Sequence, residues 1–275
     1  MFTLNCKGRL LVINKPIVMG ILNITADSFY KGSRLSNLDA ALQQAELMQK
    51  DGATILDIGA QSTRPGSTRL SAEEEMEKAL PVIEAIHKNF ADVFISVDTY
   101  HATVAEKAVA AGACIINDIS GGTMDENMLT TVGRLHVPYV CMHIQGKPET
   151  MQQNPGYENV TREVLDFFIQ QTEKCRTNNI NDVIIDVGFG FGKTTQHNFR
   201  LLKELAVFKM LEKPILAGLS RKASIYKTLH ITAEEALNGT TVLNTIALLN
   251  GANILRVHDI KEAIQAIELF NEYNV

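Results

Sequence analysis

The sequence predicts an α/β chain folded as a (β/α)₈ (TIM) barrel with an N-terminal β-hairpin, in one domain spanning residues 1–275. Two observations predict it. One unit, a short β-rich run followed by a polar loop and an apolar stripe at helical spacing, recurs along the chain with no Pro/Gly/Ser-rich linker. About eight such units in about 250 residues suit a closed parallel barrel better than an open doubly wound sheet.

The hairpin is read from an extended segment up to Cys6, a turn at Lys7 and Gly8, and a return over Arg9 to Ile13. Barrel strands are expected at Ile17–Asn23, Thr54–Ala60, Val93–Thr99, Cys114–Ser120, Pro138–His143, Val183–Gly188, Pro214–Ser220 and Asn253–His258. Leu38, Ala41, Leu42, Ala45 and Met48 make the first helical stripe, and Ser71 with Glu74 reads as a capping box for the next helix. Further helices are expected at Val104–Ala111, Met128–Leu135, Val164–Cys175, Phe199–Met210, Ala236–Leu249 and Ile260–Phe270. Gly52, Gly112 and Gly251 each precede a strand, where a helix ends most easily on a residue with positive φ.

Composition excludes several classes. Hydrophobic residues make up 45% and charged residues 21%, which argues against global disorder. A net charge of −5 offers no basic patch for nucleic acid or an anionic membrane, and no apolar run approaches the roughly 18 residues of a membrane span. The four cysteines, Cys6, Cys114, Cys141 and Cys175, lack metal-ligand spacing and read as free thiols. That suits a reducing compartment, and with no secretory signal in view the expected location is the cytoplasm. His87, His101, His136, His197 and His230 have no metal spacing and are expected at the surface or in packing.

The strand ends carry the chemistry. In such barrels the loops after the strands build the active site. Here those ends hold Asn23, the Gln61-Ser62-Thr63-Arg64 run, Asp98, Asn117 with Asp118, His143, Asp186, the Ser220-Arg221-Lys222 run, and Arg256 with His258. A single such residue is ordinarily a cap or turn former, but polar groups at all eight ends cost too much to bury without a ligand. Arg64, Arg221, Lys222, Arg256 and His258 supply donors suited to an anionic substrate. Asp98, Asn117 and Asp186 suit the amidine-like edge of a 2-amino-4-oxo heterocycle, with Asp98 equally placed to cap the helix starting near His101. The Gly188-Phe189-Gly190-Phe191-Gly192-Lys193 loop lacks phosphate-cradle spacing, and its phenylalanines suit an apolar wall.

Taken in order, these segments resemble the dihydropteroate synthases. The stretches that carry the resemblance are Met19 to Thr25 with Asp27-Ser28-Phe29, Asp57-Ile58-Gly59, Ser62 to Gly66, and Ser96 to Thr99. They continue through Ile116-Asn117-Asp118, Met142-His143, Asp186 with Gly188 to Lys193, Ser220-Arg221-Lys222 and Arg256 to Asp259, covering essentially the whole chain. That family condenses (7,8-dihydropterin-6-yl)methyl diphosphate with 4-aminobenzoate. By this resemblance, Asp98, Asn117, Asp186 and Lys222 hold the pterin. Asn23 ligates Mg²⁺, and Asn23, Thr63, Arg256 and His258 hold the diphosphate. Phe29, Thr63, Pro65, Phe191 and Ser220 border the aminobenzoate, and Arg64 sits in the mobile second loop. Asp98, Lys222, Arg256 and His258 are the implied catalytic groups. The partners are those small-molecule substrates, with no nucleic acid or membrane, and a homodimer is expected, for which the apolar run Val242–Leu249 is compatible. The pterin and diphosphate ends are expected to be separable.

The sequence departs from the family's usual pattern at Ala26, Lys31, Gln61 and Val187, where Pro, Asp, Glu and Pro are common. A lysine at 31 is expected to face solvent or the diphosphate rather than a cationic intermediate. Two other readings compete: a methyltetrahydrofolate-binding corrinoid methyltransferase, and a non-catalytic pterin-binding partner subunit. Arg256 with His258 and the Ser62–Gly66 loop favour the synthase, since the methyltransferase needs no diphosphate site.

Overall fold

The computed structural model describes residues 1–24, 34–61 and 69–274, with side chains left out at 34–37. Strands β1 (Phe2–Cys6) and β2 (Arg9–Ile13) form the expected antiparallel hairpin, turning through Lys7 and Gly8 at φ 55° and 86°. Strict alternation puts Leu4, Cys6, Leu11 and Ile13 on one buried face. That face packs with Met19, Ile55, Phe94, Ile115, Val140, Ile184, Leu216 and Ile254, one from each barrel strand, so the hairpin plugs the N-terminal end of the barrel.

Eight parallel strands close the barrel: β3 (Ile17–Asn23), β4 (Ile55–Gly59), β5 (Phe94–Asp98), β6 (Ile115–Asp118), β7 (Tyr139–Met142), β8 (Val183–Asp186), β9 (Ile215–Ala217) and β10 (Ile254–Val257). They follow one another in sequence order, and β10 pairs with both β9 and β3. Around them lie α1 (Arg34–Lys50), α2 (Ala72–Asn89), α3 (Ala102–Ala111), α4 (Met128–Leu135), α5 (Val160–Thr177), α6 (Thr195–Lys203), α7 (Ala223–Leu229), α8 (Leu237–Leu249) and α9 (Ile260–Tyr273). The main core fills the layer between strands and helices, with Leu22, Leu56, Ile83, Val97, Ile116 and Phe168 among its members.

The Ser71 capping box forms in both directions: Ser71 Oγ accepts from Glu74 N at 3.2 Å, and Glu74 Oε2 accepts from Ser71 N at 2.8 Å. Gly112 closes α3 at φ 123°, and any side chain there would run into the His87 ring. Two helical expectations need correction. The helix read at Phe199–Met210 is α6, started earlier by a Thr194–His197 capping box, followed by a separate 3₁₀ turn at Leu205–Leu211. A short helix, α7, also precedes α8, so two helices rather than one connect β9 to β10. Its seven residues offered too little periodicity to read.

Candidate active site

Period-two alternation along parallel strands turns a few polar side chains into the barrel's C-terminal mouth. Asp98 pairs in register with Gly59 on one side and Asn117 on the other, and Asp186 pairs with Met142. Asp57, Asp98, Asn117 and Asp186 are all buried. Arg256, from β10, reaches across them with its side chain 18% exposed. Its Nε donates to Asp57 Oδ2 at 2.7 Å and its Nη2 to Asp98 Oδ2 at 2.6 Å. Asn117 Nδ2 donates to the same Asp57 oxygen at 2.9 Å.

The alternative role for Asp98, capping the helix after it, is filled by others. Asp125 Oδ2 accepts from Ala102 N at 2.8 Å and Thr99 Oγ1 from His101 N at 3.1 Å, which leaves Asp98 to the mouth. Asp118, the next residue after Asn117, points the other way. Its two oxygens accept from Ser120, Gly122 and the Tyr139 hydroxyl at 2.7–2.8 Å, fixing the turn after β6.

Burial raises the Asp98 pKa to about 7, against the pull of Arg256 and with help from the neighbouring charges of Asp57, Asp118 and Asp186. Burial likewise raises Asp186, opposed first by Lys222. Asp186 Oδ1 accepts from Gly188 N at 2.8 Å, so its other oxygen is the one available to a ligand. Burial works against the Arg256 charge, but Asp57 and Asp98 more than offset it, and the guanidinium stays cationic.

Lys222 follows β9, contacts the Phe189 carbonyl and lies 4.7 Å from the Phe191 ring centre. Burial lowers its pKa to about 8 while Asp186 and Asp98 hold it up. Ser220 and His258 meet at the mouth, with Ser220 Oγ 3.0 Å from His258 Nδ1. A cavity of about 1050 Å³ opens here, lined by Asn23, Asp98, Phe191, Ser220, Lys222, Arg256 and His258 among others. Asp186 adjoins it behind Gly218: a Cβ built on Gly218 would lie 3.9 Å from Asp186 Oδ2. Acceptors (Asp98, Asn117, Asp186) and donors (Lys222, Arg256, His258) thus converge on one mouth, an arrangement for a ligand with a hydrogen-donating flat end and an anionic tail.

A family model described as "pterin binding enzyme" matches residues 19–258. The dihydropteroate synthase of Escherichia coli K12 is 42% identical over 265 residues, covering 96% of this chain and 93% of that protein. The chain belongs to the dihydropteroate synthase family. Its members are transferases. Among solved structures, the Yersinia pestis dihydropteroate synthase in a sulfonamide drug complex superposes with a TM-score of 0.93 at 39% identity, over 99% of both chains. The Xanthomonas albilineans dihydropteroate synthase with 4-aminobenzoic acid gives 0.90 at 37% identity, over 99% of this chain and 98% of that one.

Within this family frame, the sequence-derived residues divide into three groups. Asn23, Asp98, Asn117, Asp186, Phe191, Ser220, Lys222, Arg256 and His258 gather at the C-terminal mouth or just behind it. Phe29, Lys31, Thr63, Arg64 and Pro65 lie outside the described residues. Arg221 also borders the cavity, where its guanidinium grips both oxygens of Asp259 at 2.8–2.9 Å and the carbonyls of Ala233 and Glu234, an anchor for the β9 loop.

Two residues escaped a role in the sequence reading. Asp57 belongs to a stretch that carries the family resemblance but has no role there, standing as a charge in the otherwise apolar Ile55–Gly59 run. Lys193 ends the glycine-rich loop and turns inward. Its Nζ lies 2.9 Å from His143 Nδ1 and 3.0–3.3 Å from the carbonyls of Gly188, Phe191 and His143. Burial drops the Lys193 pKa to about 7 and that of His143 to about 2, so the imidazole is neutral. Gln61 takes up the place of a family acid by accepting from Leu70 N at 2.8 Å with its amide oxygen.

Proposed function

We propose that this chain condenses (7,8-dihydropterin-6-yl)methyl diphosphate with 4-aminobenzoate, giving 7,8-dihydropteroate and diphosphate. The observation that carries this reading is the buried acceptor set Asp98, Asn117 and Asp186 lying against Lys222 and Arg256 at the cavity. Asp186 offers one carboxylate oxygen to the ring N–H edge, its partner oxygen being held by Gly188. Asp98 and Asn117 hold the rest of the pterin and Lys222 donates to its acceptors, with Phe191 and Ser220 bordering the aminobenzoate.

Cleavage of the C–O bond separates charge, leaving a cationic pterin methylene and an anionic diphosphate. The three carboxylates Asp57, Asp98 and Asp186 favour the cation, while Arg256 and His258 receive the departing anion. The aniline nitrogen then forms the C–N bond and releases one proton to the departing diphosphate or to solvent, and it requires positioning more than activation. Asn23 supplies one hard oxygen at the same cavity. Among the described residues no group of three His, Cys, Asp or Glu side chains could cage a metal. That donor set fits Mg²⁺, which is commonly held by one or two protein oxygens together with substrate phosphates. Bound there with Asn23, it would neutralise charge on the diphosphate.

The chain is taken as a single pterin-binding domain that works in the cytoplasm, where its free thiols stay reduced. A homodimer is proposed through α8 and α9, where Val242, Ile246, Leu249, Leu269 and Tyr273 are exposed together. Sedimentation velocity reads that state directly. The decisive assay is diphosphate release that depends on both substrates. Release without formation of 7,8-dihydropteroate overturns the reading.

A further inference from the structure

We propose that Asp57 is a positioning residue that fixes which end of the Asn117 amide faces the ligand and, through the same oxygen, seats Arg256; this rests on the pterin reading of the site. Asp57 Oδ2 accepts from Arg256 Nε at 2.7 Å and from Asn117 Nδ2 at 2.9 Å, with Arg256 Nη2 in ion-pair contact at 2.6 Å. Among the described residues no donor reaches its other oxygen. Asp57 is fully buried and lies one pleat below the layer of Asp98 and Asn117: it pairs with Ser96, while Asp98 pairs with Asn117. It therefore supports the floor of the site without lining the cavity.

An asparagine amide is ambivalent, since rotation by half a turn exchanges a donor for an acceptor at nearly the same position. A buried carboxylate accepts only. With Nδ2 committed to Asp57, the Asn117 carbonyl oxygen is the end left for the ligand. The pocket then offers acceptors from Asp98, Asn117 and Asp186, a pattern matched to a ring edge rich in N–H groups. Arg256 is set by the same oxygen, so its guanidinium is aimed before substrate arrives rather than reoriented afterwards.

The test measures binding of 6-hydroxymethylpterin by titration calorimetry. Asp57→Asn keeps the shape and removes the charge that commands the amide; affinity is expected to fall by about tenfold or more. Asn117→Asp is the sharper probe and keeps both Arg256 contacts. Its new carboxylate faces Asp57: ionised, it still accepts from the ligand but is pushed out of place by the like charge, and it holds a proton at higher pH than an isolated one; protonated, it donates to Asp57 and settles back with a carbonyl toward the ligand. Affinity relative to the unaltered chain is expected to drop about a hundredfold near pH 8 and to recover at least about tenfold near pH 6. Normalising to the unaltered chain removes the titration of Asp98, Asp118, Asp186, Lys222 and Arg256 common to both. Adding Asp57→Asn to Asn117→Asp is expected to restore affinity near pH 8 and abolish the acid recovery, because an amide at 57 donates to the ionised group. A merely structural role for Asp57 predicts no such rescue. Unchanged affinity in Asp57→Asn, or an Asn117→Asp deficit with the same pH profile in both backgrounds, overturns the role of Asp57. Failure of the unaltered chain to bind the pterin overturns instead the reading on which it rests.

Discussion

Arg256 Nη2 donates to Asp98 Oδ2 at 2.6 Å, joining a residue expected at the diphosphate to one expected at the pterin. On the proposed assignment, the two ends of the substrate are read by a connected group of side chains, in contrast to the separable ends that the sequence suggests. Truncating Arg256 removes a partner from a buried pair and leaves Asp57 and Asp98 uncompensated.

Arg256→Ala is accordingly expected to weaken both diphosphate and pterin binding, and to destabilise the fold by about 3 kcal/mol. Calorimetry with a pterin alone and with its diphosphate ester measures the first effect, and denaturant melts the second. The losses from Arg256→Ala and Asp98→Asn should not add, since the two side chains share one interaction. A loss confined to the diphosphate ester would contradict the connection.

Asp186→Asn is expected to cost about 2 kcal/mol or more in pterin affinity. The Gly188 N–H holds one oxygen of the native carboxylate, so an amide would keep its oxygen there and turn its NH₂ toward a ring edge that also donates. Unchanged affinity would place the pterin edge elsewhere in the cavity.

The fold was legible because its signals are redundant. Eight apolar runs, the Ser71 box and the Gly112 helix end all act over a few residues and agree with one another. Strand-end chemistry was legible for the same reason: Asp98, Asp186 and Arg256 sit at the ends of runs that have to be strands. What could not be read were relationships across the barrel. Asp57 is 199 positions from Arg256, and nothing local marks its oxygen as their meeting point. Arg221 and its partner Asp259 lie 38 positions apart, so nothing local marks that pair either.

The pH dependence of pterin affinity is expected to be bell-shaped in the ligand-binding step. Protonating Asp98 removes an acceptor, so affinity rises as pH increases through its pKa of about 7. Deprotonating Lys222 removes a donor and a positive charge, so affinity falls as pH increases through about 8. The maximum lies between the two, and calorimetry corrected for buffer protonation locates it. A flat profile from about pH 6 to about pH 9 would mean that neither group changes protonation in the free protein.

Lys193→Met is expected to lower stability by about 1–3 kcal/mol, because the carbonyls of Gly188 and Phe191 lose a buried amine donor. Phe191 borders the cavity and should shift with the loop, so affinity for 4-aminobenzoate falls as well. Equal stability with normal affinity would show that the loop is held by its glycine geometry alone.

The last prediction concerns Gly218, which lines the cavity beside Asp186 and Lys222. A Cβ there meets Lys222 Nζ at 3.8 Å and Asp186 Oδ2 at 3.9 Å, ordinary contact distances, and the backbone is not among the positive-φ positions. Gly218→Ala should therefore fold normally, with stability within about 0.5 kcal/mol of the unaltered chain. On the proposed placement of the pterin against Gly218, the same methyl takes space from the flat ring that brings its N–H edge to Asp186. A ring held even about 1 Å away loses most of a charge-assisted hydrogen bond, and pterin affinity should fall by about tenfold to a hundredfold. Inorganic diphosphate, bound nearer the opening by Arg256 and His258, should bind Gly218→Ala almost as before. Thermal melts with two titrations distinguish the outcomes: intact pterin affinity in a stable Gly218→Ala protein would mean that the ring reaches Asp186 by another face, and the placement of the pterin against Gly218 would have to be abandoned.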